Sequence, residues 1–302
     1  MNEIHRLQRR YLENIVVFRG LSPHTARGYK HSINAYLKFA SDPKASVLMV
    51  SSLSKLGFEE WIRYGKLERN WSPKNIKNHM KAWVSFLDWM IAEEIIEKNY
   101  MRLIPVPKQP KTLPKYLSKE EAIRLMDWTK NYPYDYKFEK FRGIAIIATF
   151  IFTGVRKSEL RDLKMVDVDV ENQVLHVRLG KCSKDRIIPL NLSLIELLED
   201  YLKERKRLNK HCPYFFTSLR KDSQMGENVI KRLVSKLRAK SKINFYPHLL
   251  RHTFATLMLE GGCDIFSLSK MMGHSDIKTT TIYLSATAHH LQEQIIKHPL
   301  NL

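Results

Sequence analysis

The chain has few cysteines and no long apolar run, and each shortage excludes a class of protein. Its 302 residues include only 3 cysteines, and neither a zinc spacing nor an even disulfide set links Cys182, Cys212 and Cys263. No run of 18 apolar residues occurs, so no transmembrane helix is expected. The N-terminus lacks the apolar core of a signal peptide. These absences predict a reduced, cytoplasmic protein.

Groups of metal ligands are missing as well. The sequence has no clustered carboxylate site of the kind that a metal-dependent nuclease needs, and the doublet His289-His290 has no Cys or acidic cluster nearby. The sequence has neither a lipidation motif nor a separate basic amphipathic helix at a terminus, so an anionic membrane surface is not favoured as a partner. We therefore predict no metal, no cofactor and no membrane partner.

Positive charge is what the sequence has in excess. It contains 51 Lys and Arg against 31 Asp and Glu, a formal net charge of +20. An excess of this size favours a polyanionic partner such as nucleic acid, with a merely basic soluble protein as the alternative. The length suits two domains, each with its own core.

The first part of the chain, residues 1–98, is predicted to be a helical domain. Helices are expected over 3–18 and 58–66, and two more begin at Ser22-Pro23 and Ser72-Pro73, each an N-cap followed by Pro. Four basic residues lie near those two starts and are predicted to contact DNA phosphates, with a solvated face as the alternative reading. They are Arg27, Lys30, Lys74 and Lys77.

Residues 99–116 form a predicted linker, and 117–302 a second domain. Four prolines and several lysines make the linker a semi-rigid strap, either a plain spacer or one that runs along DNA. The second domain opens with a capping box, Ser118 with Glu121. An apolar helix over 143–152 then stops at Gly154.

Between that helix and residue 190 lie a short polar motif and a hairpin. The motif Thr153-Gly154-Val155-Arg156-Lys157-Ser158-Glu159-Leu160 places Arg156 at the start of a short helix and Glu159 one turn later. From 166 to 190 the apolar period changes to two, which predicts antiparallel strands with Lys181 and Lys184 at the hairpin tip. Without its neighbours, such a tip is an ordinary solvated turn.

Further along, helices are predicted over 192–207, 229–240 and 288–297. The second of these carries Lys231 and Arg232 and is a candidate for contact with a DNA groove, or else a solvated basic face.

The strongest pattern lies in residues 247–283. His248 and Arg251 are spaced to share one face of a helix that begins at Pro247. His274 follows Gly273 after a predicted loop, and Tyr283 lies in a Thr-rich, helical segment. Two imidazoles, a guanidinium and a phenol point to a bound phosphate, with the phenol as nucleophile.

These motifs together resemble the tyrosine recombinase family, the group of lambda integrase, Cre and Xer. The family signature H-x-x-R, then G-H, then Y is matched in order, T-G-x-R-x-S-E-L resembles its first box, and the hairpin resembles G-K-G-x-K-x-R with Cys182 in place of a Gly. The helical N-terminal part resembles the SAM-like core-binding domain of Xer-type recombinases. The implied fold is mainly α with a small antiparallel β-sheet.

The resemblance implies six catalytic positions and one supporting acid, Glu159. The six are Arg156, Lys181, His248, Arg251, His274 and Tyr283. In the reaction that it implies, the arginines grip a DNA phosphodiester, His248 takes the Tyr283 proton and Lys181 protonates the departing 5′ oxygen. The resulting 3′-phosphotyrosine link preserves the free energy of the phosphodiester bond, so that strands are exchanged without metal or ATP.

The implied partners are a double-stranded recombination site, further copies of the chain and accessory proteins. Two protomers for each site, four in all, are expected to dock through the C-terminal helix. Two rival functions stay open at this point: a type IB topoisomerase, which rejoins the original strand, and a DNA-binding module that has lost the reaction. Chromosome-dimer resolution, phage integration and transposition are not separated by the sequence.

Overall fold

The computed structural model describes residues 3–41, 49–108, 114–178, 185–274 and 276–284, and it divides into two compact units. The first unit comprises residues 1–111 and the second comprises residues 112–302. Most of the described chain is helical, with one three-stranded antiparallel sheet, so the predicted mainly-α class is confirmed. No helix in these ranges is long and apolar enough to cross a membrane.

Serine caps fix the helices of the first unit. These helices are α1 (Glu3–Val17), α2 (Pro23–Ala40), α3 (Lys55–Leu67) and α4 (Pro73–Ala92). The Ser22 hydroxyl accepts a hydrogen bond from the Thr25 N–H, and Ser72 does the same for Asn75, which confirms both predicted starts. The third helix begins before the predicted Phe58, because Ser54 caps it through the Gly57 N–H.

The core of the first unit is built largely from aromatic rings on all four helices. Tyr11, Phe58, Trp61, Trp83 and Phe86 are fully buried, and the rings of Phe58 and Trp83 meet edge to face at 4.9 Å. Such rings bury a large area for few residues, so this small unit holds its four helices around one core.

The second unit is organised around one buried helix. It begins with α5 (Lys119–Asn131), α6 (Lys137–Thr153) and α7 (Lys157–Asp162), and continues after the sheet with α8 (Leu192–Arg207), α9 (Asn228–Ser241), α10 (Pro247–Glu260), α11 (Ile265–Met272) and α12 (Lys278–Leu284). From residue 143 onward α6 is apolar on all sides, and α5, α8 and α10 pack around it. The capping box of Ser118 and Glu121 at α5 is confirmed.

The start of α6 was predicted six residues too late. The helix begins at Lys137, and its first turns carry charged residues beside the buried Phe138, so they lack the continuous apolar run that marks the rest. Arg142, also in this part, is buried and donates to the Thr217 carbonyl at 2.8 Å. From the sequence alone, such a buried arginine cannot be distinguished from a polar residue on the surface.

The sheet consists of β1 (Val168–Asp169), β2 (Val174–Val177) and β3 (Arg186–Pro189), paired antiparallel in that order. Leu175 lies opposite Ile188, and both side chains are buried with Val177 in the core. The predicted hairpin is therefore present. Its tip, with Lys181 and Lys184, lies outside the described residues.

The last described helices form a small separate cluster. Phe254 and Leu259 of α10, Leu268 and Met272 of α11, and Tyr283 of α12 pack together. The prediction of a loop before Gly273 was wrong, because α11 occupies that segment with Asp264 as its N-cap. The helix predicted over 288–297 lies outside the described residues.

Candidate active site

A tight turn at the end of α6 sets the position of Arg156. Gly154 ends the helix in the left-handed conformation at φ 61°, and a Cβ added there would lie 2.3 Å from Cδ1 of Phe254. Glycine adopts this backbone without strain, and its lack of a Cβ allows the close approach of α10. The chain therefore turns at once into α7, with Arg156 as its N-cap residue.

We expect Gly154→Ala to disrupt this corner. The left-handed backbone costs an L-residue roughly 1–2 kcal/mol, and the contact with the buried Phe254 ring adds an overpacking cost of about 1–3 kcal/mol. Urea unfolding measures the loss. Gly226→Ala is the matched control, because a Cβ at Gly226 meets nothing within 4 Å; equal effects of the two substitutions would contradict the prediction.

Glu159 holds Arg156 at both ends. The Arg156 backbone N–H donates to Oε2 of Glu159 at 2.7 Å, and its Nη1 donates to Oε1 at 2.7 Å. The side chain of Glu159 is only 3% exposed, whereas that of Arg156 is 42% exposed. One buried carboxylate thus fixes a guanidinium that still faces solvent, where it can meet an anion.

Arg186 of β3 is a second partner of Glu159. Its Nη1 and Nη2 donate to the two carboxylate oxygens at 3.1 and 2.7 Å, and its Nε donates to the Met271 carbonyl at 2.7 Å. A single buried arginine therefore joins the Arg156 corner to the end of α11. In the sequence, Arg186 lies within residues 166–190, the segment whose period of two predicts strands. Its signal was its register, since Arg186 shares the buried face of β3 with Ile188.

The Glu159 carboxylate titrates far below its ordinary range. Burial alone would raise its pKa, but hydrogen bonds from Arg186 and from the Arg156 backbone outweigh it and lower the pKa to about 2. Because the folded pKa lies below the ordinary value of 4.5, the ionised group contributes stability above about pH 4.5 that is lost as the pH falls toward 2.

We therefore expect a pH-dependent difference between wild type and Glu159→Gln. At neutral pH the wild type unfolds at clearly higher denaturant than the variant, and the gap narrows as the pH falls from about 4.5 toward 2. Guanidinium unfolding at a series of pH values measures the difference in unfolding midpoint between the two proteins. Because both proteins contain all the other titrating groups, this difference isolates the contribution of Glu159. A gap that stays constant over this window would show that the Glu159 charge does not stabilise the fold.

Arg251 occupies the centre of the site. It is 2% exposed, and it donates to two backbone carbonyls, from Nη1 to Gly154 at 2.7 Å and from Nη2 to Met272 at 2.6 Å. Its Nη2 also lies 3.1 Å from Nε2 of His274. Burial and the nearby charge of Arg156 lower the Arg251 pKa to about 10. Cations held this close to one another favour a bound anion.

His274 follows the left-handed Gly273 at the end of α11. Its Nδ1 lies 2.8 Å from the Thr280 hydroxyl of α12, so both ring nitrogens have defined neighbours. Burial, followed by the charges of Arg251 and Arg156, lowers the His274 pKa to about 4. The imidazole is therefore neutral near pH 7, and its Nε2 is the acceptor toward the Arg251 guanidinium, which can only donate.

Tyr283 projects from α12 toward α10. It is 2% exposed, and its Oη lies 2.8 Å from Nδ1 of His252, a residue outside the predicted catalytic set. His252 in turn meets the His248 ring at 4.3 Å, one helical turn earlier. Burial raises the pKa of Tyr283, and the charge of Arg251 works in the opposite direction. The i, i+4 spacing of the two histidines was the available signal.

Five of the six predicted catalytic residues thus lie on four elements of the second unit that meet around Arg251. Arg156 and Glu159 come from the α7 corner, His248 and Arg251 from α10, and Tyr283 from α12, with His274 between α11 and α12. The sixth, Lys181, lies outside the described residues. Within the described ranges, no group of three or more His, Cys, Asp or Glu side chains could hold a metal ion.

The predicted DNA contacts fall on two surfaces. Arg27 and Lys30 are exposed on α2, and Lys74 and Lys77 are exposed on the first turns of α4. A groove of about 520 Å³ lies between these helices, lined by residues such as His31 and Asn78. Lys231 and Arg232 are exposed on α9 of the second unit, and Lys184 lies outside the described residues.

Comparisons with known proteins identify the family of the chain. Residues 115–290 match the model of the Phage integrase family, and residues 9–94 match its N-terminal SAM-like domain. The chain is 32% identical to tyrosine recombinase XerA of Pyrococcus horikoshii over 294 residues, 96% of this chain and 91% of the relative. It is 31% identical to tyrosine recombinase XerC of Thermodesulfovibrio yellowstonii, over 96% of this chain and 95% of that protein.

Solved structures show the same fold. The XerA recombinase crystal structure matches 97% of this chain and 98% of its own, with a TM-score of 0.54 at 26% identity. The XerH recombinase bound to a palindromic difH substrate matches 92% of this chain and 81% of its own, with a TM-score of 0.73 at 22% identity.

The family match and these relatives show that the chain is an enzyme that cleaves and rejoins DNA strands. The chain belongs to the phage integrase family, and within it to the tyrosine recombinases, which act through a phosphotyrosine intermediate in site-specific recombination.

Proposed function

We propose that Tyr283 is the nucleophile of this recombinase and that Arg156, Arg251 and His274 bind the scissile phosphate. The observation that carries the proposal is the position of Arg251. It lies within hydrogen-bond distance of His274 and of the Gly154 carbonyl beside the Arg156 corner, and its charge opposes the rise that burial causes in the Tyr283 pKa. A phosphodiester that meets both guanidiniums would therefore lie close to the phenol.

The proposed reaction is an in-line displacement at phosphorus. Tyr283 Oη attacks, the P–O5′ bond breaks, and the 3′ side of the strand is left on the tyrosine with a free 5′-hydroxyl. The two arginines stabilise the charge of the pentavalent transition state, and Lys181 protonates the leaving oxygen. The phenol proton passes to an imidazole of α10, where His248 is one member of the pair. Glu159 supports Arg156 without contacting the phosphate.

An adduct experiment tests the nucleophile and finds the DNA site. Wild type, Tyr283→Phe and the matched control Tyr246→Phe are incubated in EDTA with nicked suicide duplexes drawn from the source genome. We expect a DNA adduct that survives SDS with wild type and with Tyr246→Phe, and none with Tyr283→Phe. Sequencing the trapped DNA then identifies the site. Binding without an adduct in any protein would favour a DNA-binding module.

An experiment on the recovered DNA site distinguishes recombination from strand relaxation. A 5′-hydroxyl from a partner duplex exchanges strands, whereas the original 5′-hydroxyl only rejoins its own strand. With two labelled duplexes that carry the recovered site, we expect products that join one duplex to the other. If a supercoiled plasmid that carries the recovered site is relaxed and no such products form, a type IB topoisomerase would be favoured.

We infer that the basic residues of the first unit hold the DNA backbone without reading bases. Replacing Lys77 by Gln should weaken binding about equally on all sequences and lower the salt slope of binding by about 1, because one phosphate contact releases about one counterion. Fluorescence anisotropy over a range of salt concentrations measures the slope. Lys66→Gln, exposed at the end of α3, is the control and should keep the wild-type slope.

We propose two protomers on each site and four in the synaptic complex, with accessory proteins as further partners and the cytoplasm as location. The predicted helix over 288–297 would dock on the next protomer. Mass photometry of the chain with the recovered site, with and without residues 285–302, tests this arrangement. Loss of the four-protomer species upon truncation is the expected result, and an unchanged distribution would contradict it.

A further inference from the structure

His252 contacts the reacting atom of the proposed nucleophile. Its Nδ1 lies 2.8 Å from Tyr283 Oη, within the range in which a general base takes a proton. The two rings are packed against each other with centroids 5.5 Å apart. The phenol is almost fully buried, so this contact fixes the direction in which the hydroxyl points.

The geometry of α10 gives its polar residues separate tasks. Arg251 and His252 are adjacent, and neighbouring residues on a helix project about 100° apart. Arg251 therefore reaches the Gly154 and Met272 carbonyls, while His252 reaches α12. His248, one turn earlier, is exposed and meets the His252 ring edge to face.

We propose that His252 is a further catalytic residue, which holds the Tyr283 phenol and takes its proton during attack. This proposal rests on Tyr283 being the nucleophile. As the Oη–P bond forms and the P–O5′ bond breaks, the Oη–H bond breaks and its proton passes to Nδ1 of His252, which becomes an imidazolium. In the reverse step the imidazolium returns the proton to the departing tyrosine. The sequence had assigned this task to His248.

The electrostatic setting suits an acceptor that charges only during the reaction. Burial, then His248 and Arg251, lower the His252 pKa to about 4, so the free ring is neutral near pH 7 with a lone pair to offer. A phosphodiester bound between Arg251 and Arg156 adds negative charge, which opposes that lowering. The imidazolium is therefore less unfavourable once the phosphate is in place, which is when attack requires the proton transfer.

A spectroscopic test needs no DNA and so stands apart from the nucleophile assignment. With ¹⁵N-labelled histidine, we expect the His252 ring to be the neutral tautomer with hydrogen on Nε2 and a bare, hydrogen-bonded Nδ1. Tyr283→Phe should shift that Nδ1 resonance, while Tyr246→Phe should leave it unchanged. A hydrogen on Nδ1, or no response to Tyr283→Phe, would overturn the proposal.

A kinetic test uses the DNA site recovered from the adducts. His252→Asn keeps an acceptor near the Nδ1 position but cannot take the proton, so adduct formation should fall roughly 10²- to 10⁴-fold. Thermal unfolding and DNA affinity close to wild type would exclude a merely structural loss. His211→Asn, exposed and distant in sequence, is the control. A rate within threefold of wild type, about 0.7 kcal/mol or less, would overturn the proposal.

A substrate with sulfur at the 5′ bridging position separates the base from the acid. The thiolate leaves without a proton, so this substrate should restore Lys181→Ala. It should not restore His252→Asn, because Tyr283 must still lose its proton. Restoration of His252→Asn by sulfur would assign His252 to the leaving group and overturn the proposal. If only His248→Asn loses adduct formation and the sulfur substrate does not restore it, the proton passes to His248 instead, which would overturn the proposal.

Discussion

Arg251→Lys should reduce adduct formation by about 10³-fold or more, since removal of a single oxyanion-type donor already costs about 10²- to 10³-fold. The guanidinium spreads its donors over two carbonyls and His274, and a lysine ammonium places three donors on one atom. The shorter side chain cannot satisfy the Gly154 and Met272 carbonyls and also face the phosphate. Each carbonyl left unpaired adds about 1–3 kcal/mol of lost stability.

Single-turnover adduct formation on the recovered site measures this effect, alongside urea unfolding. Arg142→Lys is the matched control, because Arg142 is also buried and donates to a carbonyl, that of Thr217, but has no part in the proposed site. The control should lose stability and keep its rate per folded molecule. Equal rates for Arg251→Lys and the control would remove Arg251 from the phosphate site.

Local signals in the sequence predicted most elements because these signals act over a few residues. A serine before a proline caps a helix whatever surrounds it, and Ser22 and Ser72 do so here. The strand period of two likewise placed β2 and β3. The missed α11 has eight residues and no strong start signal apart from Asp264, and its stability comes from packing on α10 rather than from its own sequence.

The site could be predicted where the interacting residues belong to one motif. It could not be predicted where the partners come from distant segments. Arg156 and Glu159 are one turn apart, so their pairing follows from helix geometry. The contact of Glu159 with Arg186 joins residues 27 positions apart, and that of His252 with Tyr283 joins residues 31 apart. Such pairs depend on how β3 and α12 pack, which no local pattern specifies.

The predicted loss from Arg186→Met tests whether that packing sets the site. The substitution leaves the Glu159 carboxylate, 3% exposed, without its bidentate partner, and breaking a buried pair in this way costs about 3–5 kcal/mol. It also removes the donor to the Met271 carbonyl, which precedes the Gly273 turn and His274. We therefore expect a large loss of stability, measured by urea unfolding, and a loss of adduct formation among the molecules that stay folded.

Two further variants separate charge burial from positioning. In the double variant Arg186→Met with Glu159→Gln, the buried charge is gone, so part of the lost stability should return, while the links from β3 to the Arg156 corner and to α11 remain broken. Adduct formation should therefore stay low. Arg178→Met is the control, because its pair with Asp167 involves an arginine that is 61% exposed and contributes about 1 kcal/mol or less. If the double variant recovers both stability and rate, Arg186 neutralises Glu159 and does not position the site.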